Sequence, residues 1–180
     1  DTELLKIMKD AGCIQLDFGV ESGSQKLLNL ARKGITVDQA RNAFKLCHKE
    51  GLRTLANFIF NFPEETEEDI EMTFSLAKEL NATVTLFHIM TPYPGTDLFM
   101  DLGVVIKKED YAKLAPAPEK YLEWINFLEK NYRFSKHRLH FTDLKERASK
   151  EFFDIHKLSL KNPKNIKRLY CNLSFMFNPK

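Results

Sequence analysis

One carboxylate stands apart by its surroundings. Glu21 lies inside Gly19-Val20-Glu21-Ser22-Gly23-Ser24, directly after the alternating stretch Ile14-Gln15-Leu16-Asp17-Phe18. Alternation at period two predicts a strand over 14–20. Leu27, Leu28, Leu30 and Ala31 predict a helix over about 24–32, ended by Gly34. Strand, Gly-rich turn with a polar side chain, then helix is how α/β proteins offer a ligand-binding group at the C-terminal end of a strand. An ordinary βα turn with a solvent-exposed Glu fits the same residues. This stretch alone does not separate the two.

The other chemistry-bearing residues exclude more than they assign. Cys13, Cys47 and Cys171 lie far apart, an odd count that builds neither a disulfide framework nor a zinc ribbon. Cys13, before a strand, and Cys47, on a helix, read as buried small hydrophobes. His48, His88, His137, His140 and His156 form no HExxH pattern, so a stand-alone metal enzyme has no visible ligand set. His137 and His140 read as a surface pair. The run Glu64-Glu65-Thr66-Glu67-Glu68-Asp69 reads as a solvated helix N-terminus, favourable at the positive end of the helix dipole.

The elements that must position these residues alternate. A helix is expected over 2–11, with Leu4, Leu5, Met8 and Ala11 on one face and Gly12 as its stop. Thr36 and Gln39 form a capping box for a helix that carries Ala40, Ala43, Phe44 and Cys47 inward and stops at Gly51. Residues 52–62 are a near-continuous apolar run, which suits a strand buried on both faces, and Pro63 closes it. A helix follows over 66–80, with Ile70, Phe74, Ala77 and Leu80 inward, then a strand over 83–90. Thr91-Pro92-Tyr93-Pro94-Gly95-Thr96 is a rigid turn, and Leu98, Phe99 and Leu102 mark a short helix ended by Gly103. Strands alternating with helices predict about three βα units with a parallel sheet, an open or partial barrel.

All seven glycines precede residue 104, so the composition breaks there. The expected division is an α/β part over 1–114 and a helical extension over 115–180. Ala115-Pro116-Ala117-Pro118 is the junction, and helical stripes run through Tyr121, Leu122, Ile125 and Leu128 and again from Leu139 to Leu158. Tyr121, Trp124 and Phe127 suit plain helix packing, with a pocket lining as the alternative. Lys164, Lys167 and Arg168 beside Leu173, Phe175, Met176 and Phe177 suit a docked terminal helix better than a membrane-surface contact. A net charge of +2 over 180 residues gives no nucleic-acid footprint, and no apolar run is long enough for a transmembrane segment. Without a signal peptide the default location is cytoplasmic.

Three strand ends, taken in order, resemble one family. Gly19-Val-Glu-Ser-Gly-Ser24, Phe58-Ile-Phe-Asn-Phe-Pro-Glu-Glu-Thr-Glu-Glu-Asp69 and Thr91-Pro-Tyr-Pro-Gly-Thr96 are similar to consecutive signatures in the second half of the radical S-adenosylmethionine barrel. The flavour is that of the subgroup with an upstream cobalamin-binding domain, which includes methyltransferases and cyclases. The resemblance covers about residues 2–114. It implies that Glu21, with Ser22 beside it, faces the methionine end or ribose of S-adenosylmethionine, where a carboxylate accepts from an ammonium or hydroxyls. By the same resemblance, Lys33 falls where relatives hold a substrate carboxylate, and a solvated Lys is the alternative. Asn57 would address the ribose, the backbone around Phe60 would flank the adenine, and Tyr93 and Pro94 would shape the adenine pocket.

The resemblance also implies a [4Fe–4S] cluster held by a CxxxCxxC loop. These cysteines cannot supply that loop, so the cluster ligands are expected outside this chain and no metal ligand is expected within it. The chain then reads as the C-terminal part of a longer enzyme. Its implied partners are the N-terminal half of the barrel, a small-molecule substrate and an electron-donor protein, with cobalamin as an optional cofactor and substrate specificity in residues 115–180. Two departures stand out, Asn61 and Glu64, where relatives commonly carry Gly. They predict an altered adenine wall and favour the alternative, a degenerate cluster-free binding or scaffold module that keeps only the fold.

Overall fold

Helix α1 (Thr2–Asp10) is closed by Asp1, whose Oδ1 accepts from Leu4 N–H at 2.8 Å. In this computed structural model, residues 1–90, 92–101, 103, 105, 107, 143, 146–148, 150, 151 and 154 are described. After α1 come β1 (Gln15–Glu21), α2 (Gln25–Leu30), α3 (Val37–Lys49), β2 (Arg53–Phe60), α4 (Glu67–Leu80), β3 (Val84–Ile89) and α5 (Asp97–Asp101). The expected apolar face of α1 is only partly used: Leu5 is buried and Met8 half-buried, but Leu4 and Ala11 stay exposed. The α3 cap forms as its spacing predicts, with Gln39 N–H donating to Thr36 Oγ1 and Thr36 N–H donating to Gln39 Oε1.

The three strands form one parallel sheet in the order β1-β2-β3. Along β2, Thr54, Ala56, Phe58 and Phe60 are buried under the helices, while Arg53, Leu55, Asn57 and Ile59 are half-buried on the other face. The expectation of burial on both faces is therefore corrected. Only one face of the strand meets helices among the described residues, and its second face is half-buried.

The core joins that inner face to α3 and α4. Phe44, Phe58, Phe60, Ile70, Phe74 and Phe87 are its main contributors, with Phe60 near Phe74 (ring centroids 4.8 Å) and stacked near Phe87 (5.6 Å). Aromatic neighbours at such spacing add to the burial of apolar area. Beyond the α/β part, the described positions 143, 146–148, 150, 151 and 154 are helical, as expected within 139–158. They touch α4: Arg147 pairs with Glu71 at 2.6 Å and lies over the Phe74 ring, Glu151 pairs with Lys78, and Ala148 packs against the core. The expected junction at 115–118, the helix through 121–128 with Trp124, and the segment 166–177 lie outside the described residues.

Candidate functional site

The C-terminal ends of all three strands share one edge, since the sheet is parallel. Each end carries a turn with an unusual backbone. At β1 the register slips between Gly19 and Glu21, a bulge. Ser22 N–H returns to Val20 O at 2.9 Å, with Glu21 between them at φ 68°. That is a γ-turn of the rare positive-φ form, a conformation that costs a side-chain-bearing residue about 1–3 kcal/mol. The strain falls on the one residue the sequence singles out.

The bulge aims Glu21 back along its own strand. Its Oε1 lies 2.8 Å from Lys33 Nζ, and the pair sits across Gly19, where a Cβ would come within 2.4 Å of that oxygen. The Glu21 side chain is 18% exposed and that of Lys33 34%, so the pair remains within reach of a ligand. Gly19 therefore allows the carboxylate to lie against the strand, and Lys33 is a partner of Glu21 and not a free surface lysine.

The rest of the βα turn faces the other way. Ser22 is fully buried; its Oγ lies 3.1 Å from Thr73 Oγ1 and accepts from Ser24 N–H at 3.1 Å. Gly23 N–H donates to Thr73 Oγ1, and the backbone of Gly23 lies so close to Met72 that a Cβ would come within 2.3 Å of its carbonyl oxygen. Ser22 thus anchors the turn to α4 while Glu21, one residue earlier, faces out.

At the end of β2 the chain makes a tight turn from Phe62 to Glu65, closed by Glu65 N–H to Phe62 O at 3.1 Å, with Pro63 second and Glu64 third. Glu64 has φ 63° and Asn61 φ 69°. With Pro second and a positive φ third, the turn has the φ pattern of a type II turn, whose third position is ordinarily Gly's place. Asn61 and Glu64 both take the left-handed geometry that glycine would take, although neither is glycine. The turn is clamped, since Lys26 Nζ donates to Glu64 O and Asn61 N–H donates to Glu65 Oε2 at 2.6 Å. The β3 end repeats the device, with Thr96 N–H to Tyr93 O at 3.1 Å, Pro94 second and Gly95 third at φ 88°. Thr66 and Thr96 then accept from Asp69 N–H and Phe99 N–H, starting α4 and α5.

The acidic run is solvated only in part: Glu64, Glu67 and Glu68 are exposed as its composition suggests, but two of its carboxylates are not. Glu65 is fully buried and Asp69 is 4% exposed. Asp69 Oδ1 accepts from Ser24 Oγ at 2.6 Å, and Oδ2 accepts from Lys26 and from Thr66 N–H at 2.9 Å. Burial alone would raise the Asp69 pKa, but the hydrogen bonds from Lys26, Ser24 and Thr66 outweigh it and hold it at about 2. One carboxylate thus ties the start of α2 to the start of α4.

On the sheet face away from the helices, Gly19, Asn57 and Leu86 stand in register, as do Ile59 and His88. Asn57 Oδ1 lies 3.0 Å from His88 Nε2, and Asn57 Nδ2 donates to Phe18 O at 3.4 Å. His88 is open to solvent by area, yet protein mass around it lowers its pKa; the Glu21 carboxylate opposes that shift without cancelling it. Glu21, Lys33 and Asn57 are therefore brought to one face, where His88 joins them. Tyr93 and Pro94 stand exposed on the β3 turn. Phe60 does not join: its ring is buried among Phe74 and Phe87, and its carbonyl accepts from Met90 N–H, so no side-chain contact with a ligand is open to it.

Among the described residues, the two cysteines do not fit a metal cluster. Cys47 is 1% exposed, and burial, then the nearby Cys13, pushes its thiol pKa up, away from a ligating thiolate. Cys13 is half-buried, not buried as its sequence position suggests, and its Sγ lies 3.4 Å from Gln15 O. Among the described residues no three His, Cys, Asp or Glu side chains form a metal-binding group, and no helix is long and apolar enough to cross a membrane.

Comparison with known proteins gives this geometry its context. Residues 1–77 match the profile of the Radical SAM superfamily. An uncharacterized methyltransferase of Pyrococcus horikoshii is 44% identical over 97 residues, 54% of this chain and 21% of the relative. The anaerobic magnesium-protoporphyrin IX monomethyl ester cyclase of Rubrivivax gelatinosus is 33% identical over 113 residues, 63% of this chain and 20% of the relative. The chain thus spans about a fifth of the length of these curated relatives. Among solved structures, the radical S-adenosylmethionine methyltransferase TsrM from Kitasatospora setae, with cobalamin and a [4Fe–4S] cluster bound, aligns with TM-score 0.52 at 25% identity, over 65% of this chain and 23% of that one. The three parallel βα units align with part of a barrel of this type, and residues 1–77 carry the similarity to the Radical SAM superfamily.

Proposed function

We propose that this chain supplies one wall of the S-adenosylmethionine pocket in a radical S-adenosylmethionine enzyme, with Glu21 as its main polar contact. The observation that supports this most is the strained bulge that turns the Glu21 carboxylate onto the open sheet face, over Gly19 and beside Lys33. Strain of this kind persists where surrounding structure enforces it, often at binding sites. A carboxylate so placed accepts hydrogen bonds from an ammonium or from ribose hydroxyls, and Lys33 is the local cation for an acidic group of ligand or substrate. Tyr93 and Pro94, exposed on the turn that carries Gly95, would bound the far side of the pocket in this reading.

S-adenosylmethionine, when bound, supplies the carbon radical or the methyl group for the reaction; this chain binds and orients. The cluster ligands are assigned to a part of the protein outside these residues, because Cys13, Cys47 and Cys171 give no CxxxCxxC spacing. The methyltransferase and cyclase relatives support a small-molecule substrate, and cobalamin as a further cofactor follows the TsrM likeness. The test is equilibrium binding of S-adenosylmethionine to the intact protein and to its Glu21→Ala and Glu21→Gln variants. Loss of a charge-assisted hydrogen bond predicts at least tenfold weaker binding for Glu21→Ala. Unchanged affinity in both variants contradicts the reading.

A further inference from the structure

The geometry points to His88 as a further ligand-contacting residue of the open sheet face, a neutral hydrogen-bond acceptor whose orientation is set by Asn57. This deepens the reading given above and rests on it. The sequence resemblance gives Asn57 the ribose contact and gives His88 nothing. The hydrogen bonds argue for a different division of labour.

Asn57 Nδ2 donates to the Phe18 carbonyl on β1, which fixes which end of the amide is oxygen. That oxygen faces β3, 3.0 Å from His88 Nε2. An amide oxygen only accepts, so Nε2 carries the proton in the neutral ring, and Nδ1 keeps its lone pair. No hydrogen bond to Nδ1 occurs among the described residues, and the side chain is open to solvent on the face that carries Glu21. Both ends of the Asn57 amide are thus engaged within the sheet. His88, one strand further along, offers the unused acceptor. A hydroxyl or ammonium of a ligand on this face would complete it.

The charged groups around the imidazole are few. Glu21 on β1 acts on it electrostatically and is itself tied to Lys33. Asp17 is engaged by Gln15 at 2.8 Å, and Arg53 stands at the far end of β2. Helices α3 and α4 pack on the opposite face of the sheet. Protonation of His88 turns the acceptor into a donor beside Asn57, so ligand binding that uses Nδ1 weakens as pH falls through the imidazole range.

The experiment is binding of S-adenosylmethionine to the intact protein by calorimetry between pH 5.5 and 8, for wild type, His88→Ala, His88→Gln, Asn57→Ala and Glu21→Ala, with the ¹⁵N spectrum of His88 as a second readout. At pH 7.5 His88→Ala is expected to bind about fivefold more weakly, the size of one hydrogen bond. It also loses the acid-side fall in affinity that wild type shows. His88→Gln, which keeps a neutral acceptor, restores most of the affinity and stays flat with pH. The spectrum shows the Nε2–H tautomer in wild type and a mixture in Asn57→Ala. If His88→Ala keeps the wild-type affinity and pH profile while Glu21→Ala binds weakly, His88 is a surface residue and this inference falls alone. If neither variant changes binding, the open face is not the ligand site, and both readings fall.

Discussion

Asp69→Asn isolates what one buried carboxylate does for the frame of the site. Asp69 accepts from Ser24 Oγ, Lys26 Nζ, Thr66 N–H and Thr66 Oγ1, and these groups join the starts of α2 and α4. Asn keeps the size but offers one oxygen, and its NH₂ then meets groups that are themselves donors. In the fold the Asp69 pKa is held at about 2 against an ordinary 3.8. A lowering of that size corresponds to about 2 kcal/mol of stability near neutral pH. Because the folded pKa is depressed, this contribution is fully present above pH 3.8 and fades as pH falls to about 2. The assay is the urea unfolding midpoint of the wild type and the variant at pH 7, 5, 4 and 3. The expected result is a loss of about 2 kcal/mol at pH 7 and 5 that narrows on the acid side. A variant as stable as wild type at pH 7 refutes the argument; a loss that does not change with pH assigns it to packing instead of charge.

Two glycines in the same turn should behave in opposite ways. Gly23→Ala sets a Cβ 2.3 Å from the Met72 carbonyl oxygen, which only backbone movement relieves, so stability should fall by about 3 kcal/mol. Gly19→Ala meets only the flexible ends of Glu21 and Lys33, so stability should change by about 1 kcal/mol or less while S-adenosylmethionine affinity drops. Calorimetry and urea unfolding on both variants separate the two cases. Glu64→Gly should stabilise the protein by about 1 kcal/mol, because it relieves a left-handed residue and leaves the backbone carbonyl that Lys26 uses. A fall in the thermal midpoint of Glu64→Gly would count against the strain assigned to that turn.

The elements were legible because their signals are local. Thr36 and Gln39, Pro94 with Gly95, and the apolar spacing of Ile70, Phe74 and Ala77 act within a few residues of themselves, and each forms as its spacing indicates. Glu21 was visible for the same reason, since a carboxylate among small residues after a strand is a local pattern. What was not legible depends on residues far away. Asp69 looked solvated because nothing near it in sequence shows that Ser24 and Lys26, 45 and 43 positions away, enclose it. Phe60 was assigned through its backbone by position along β2, and that its ring turns toward the helices follows from alternation. Asn61 and Glu64 looked like departures because residue type was the only guide to φ. The clue was there in Phe62-Pro63-Glu64-Glu65-Thr66, which parallels Tyr93-Pro94-Gly95-Thr96 in placing Pro before the left-handed residue. His88 was weighed only as a metal ligand, and its partner Asn57 is 31 residues away.

The most direct test of the central claim is a structure of the intact protein with S-adenosylmethionine bound. The account predicts the ligand on the open sheet face, with an ammonium or hydroxyl about 3 Å from a Glu21 carboxylate oxygen. A ligand bound elsewhere, with Glu21 still closed on Lys33 and that face empty, would contradict it.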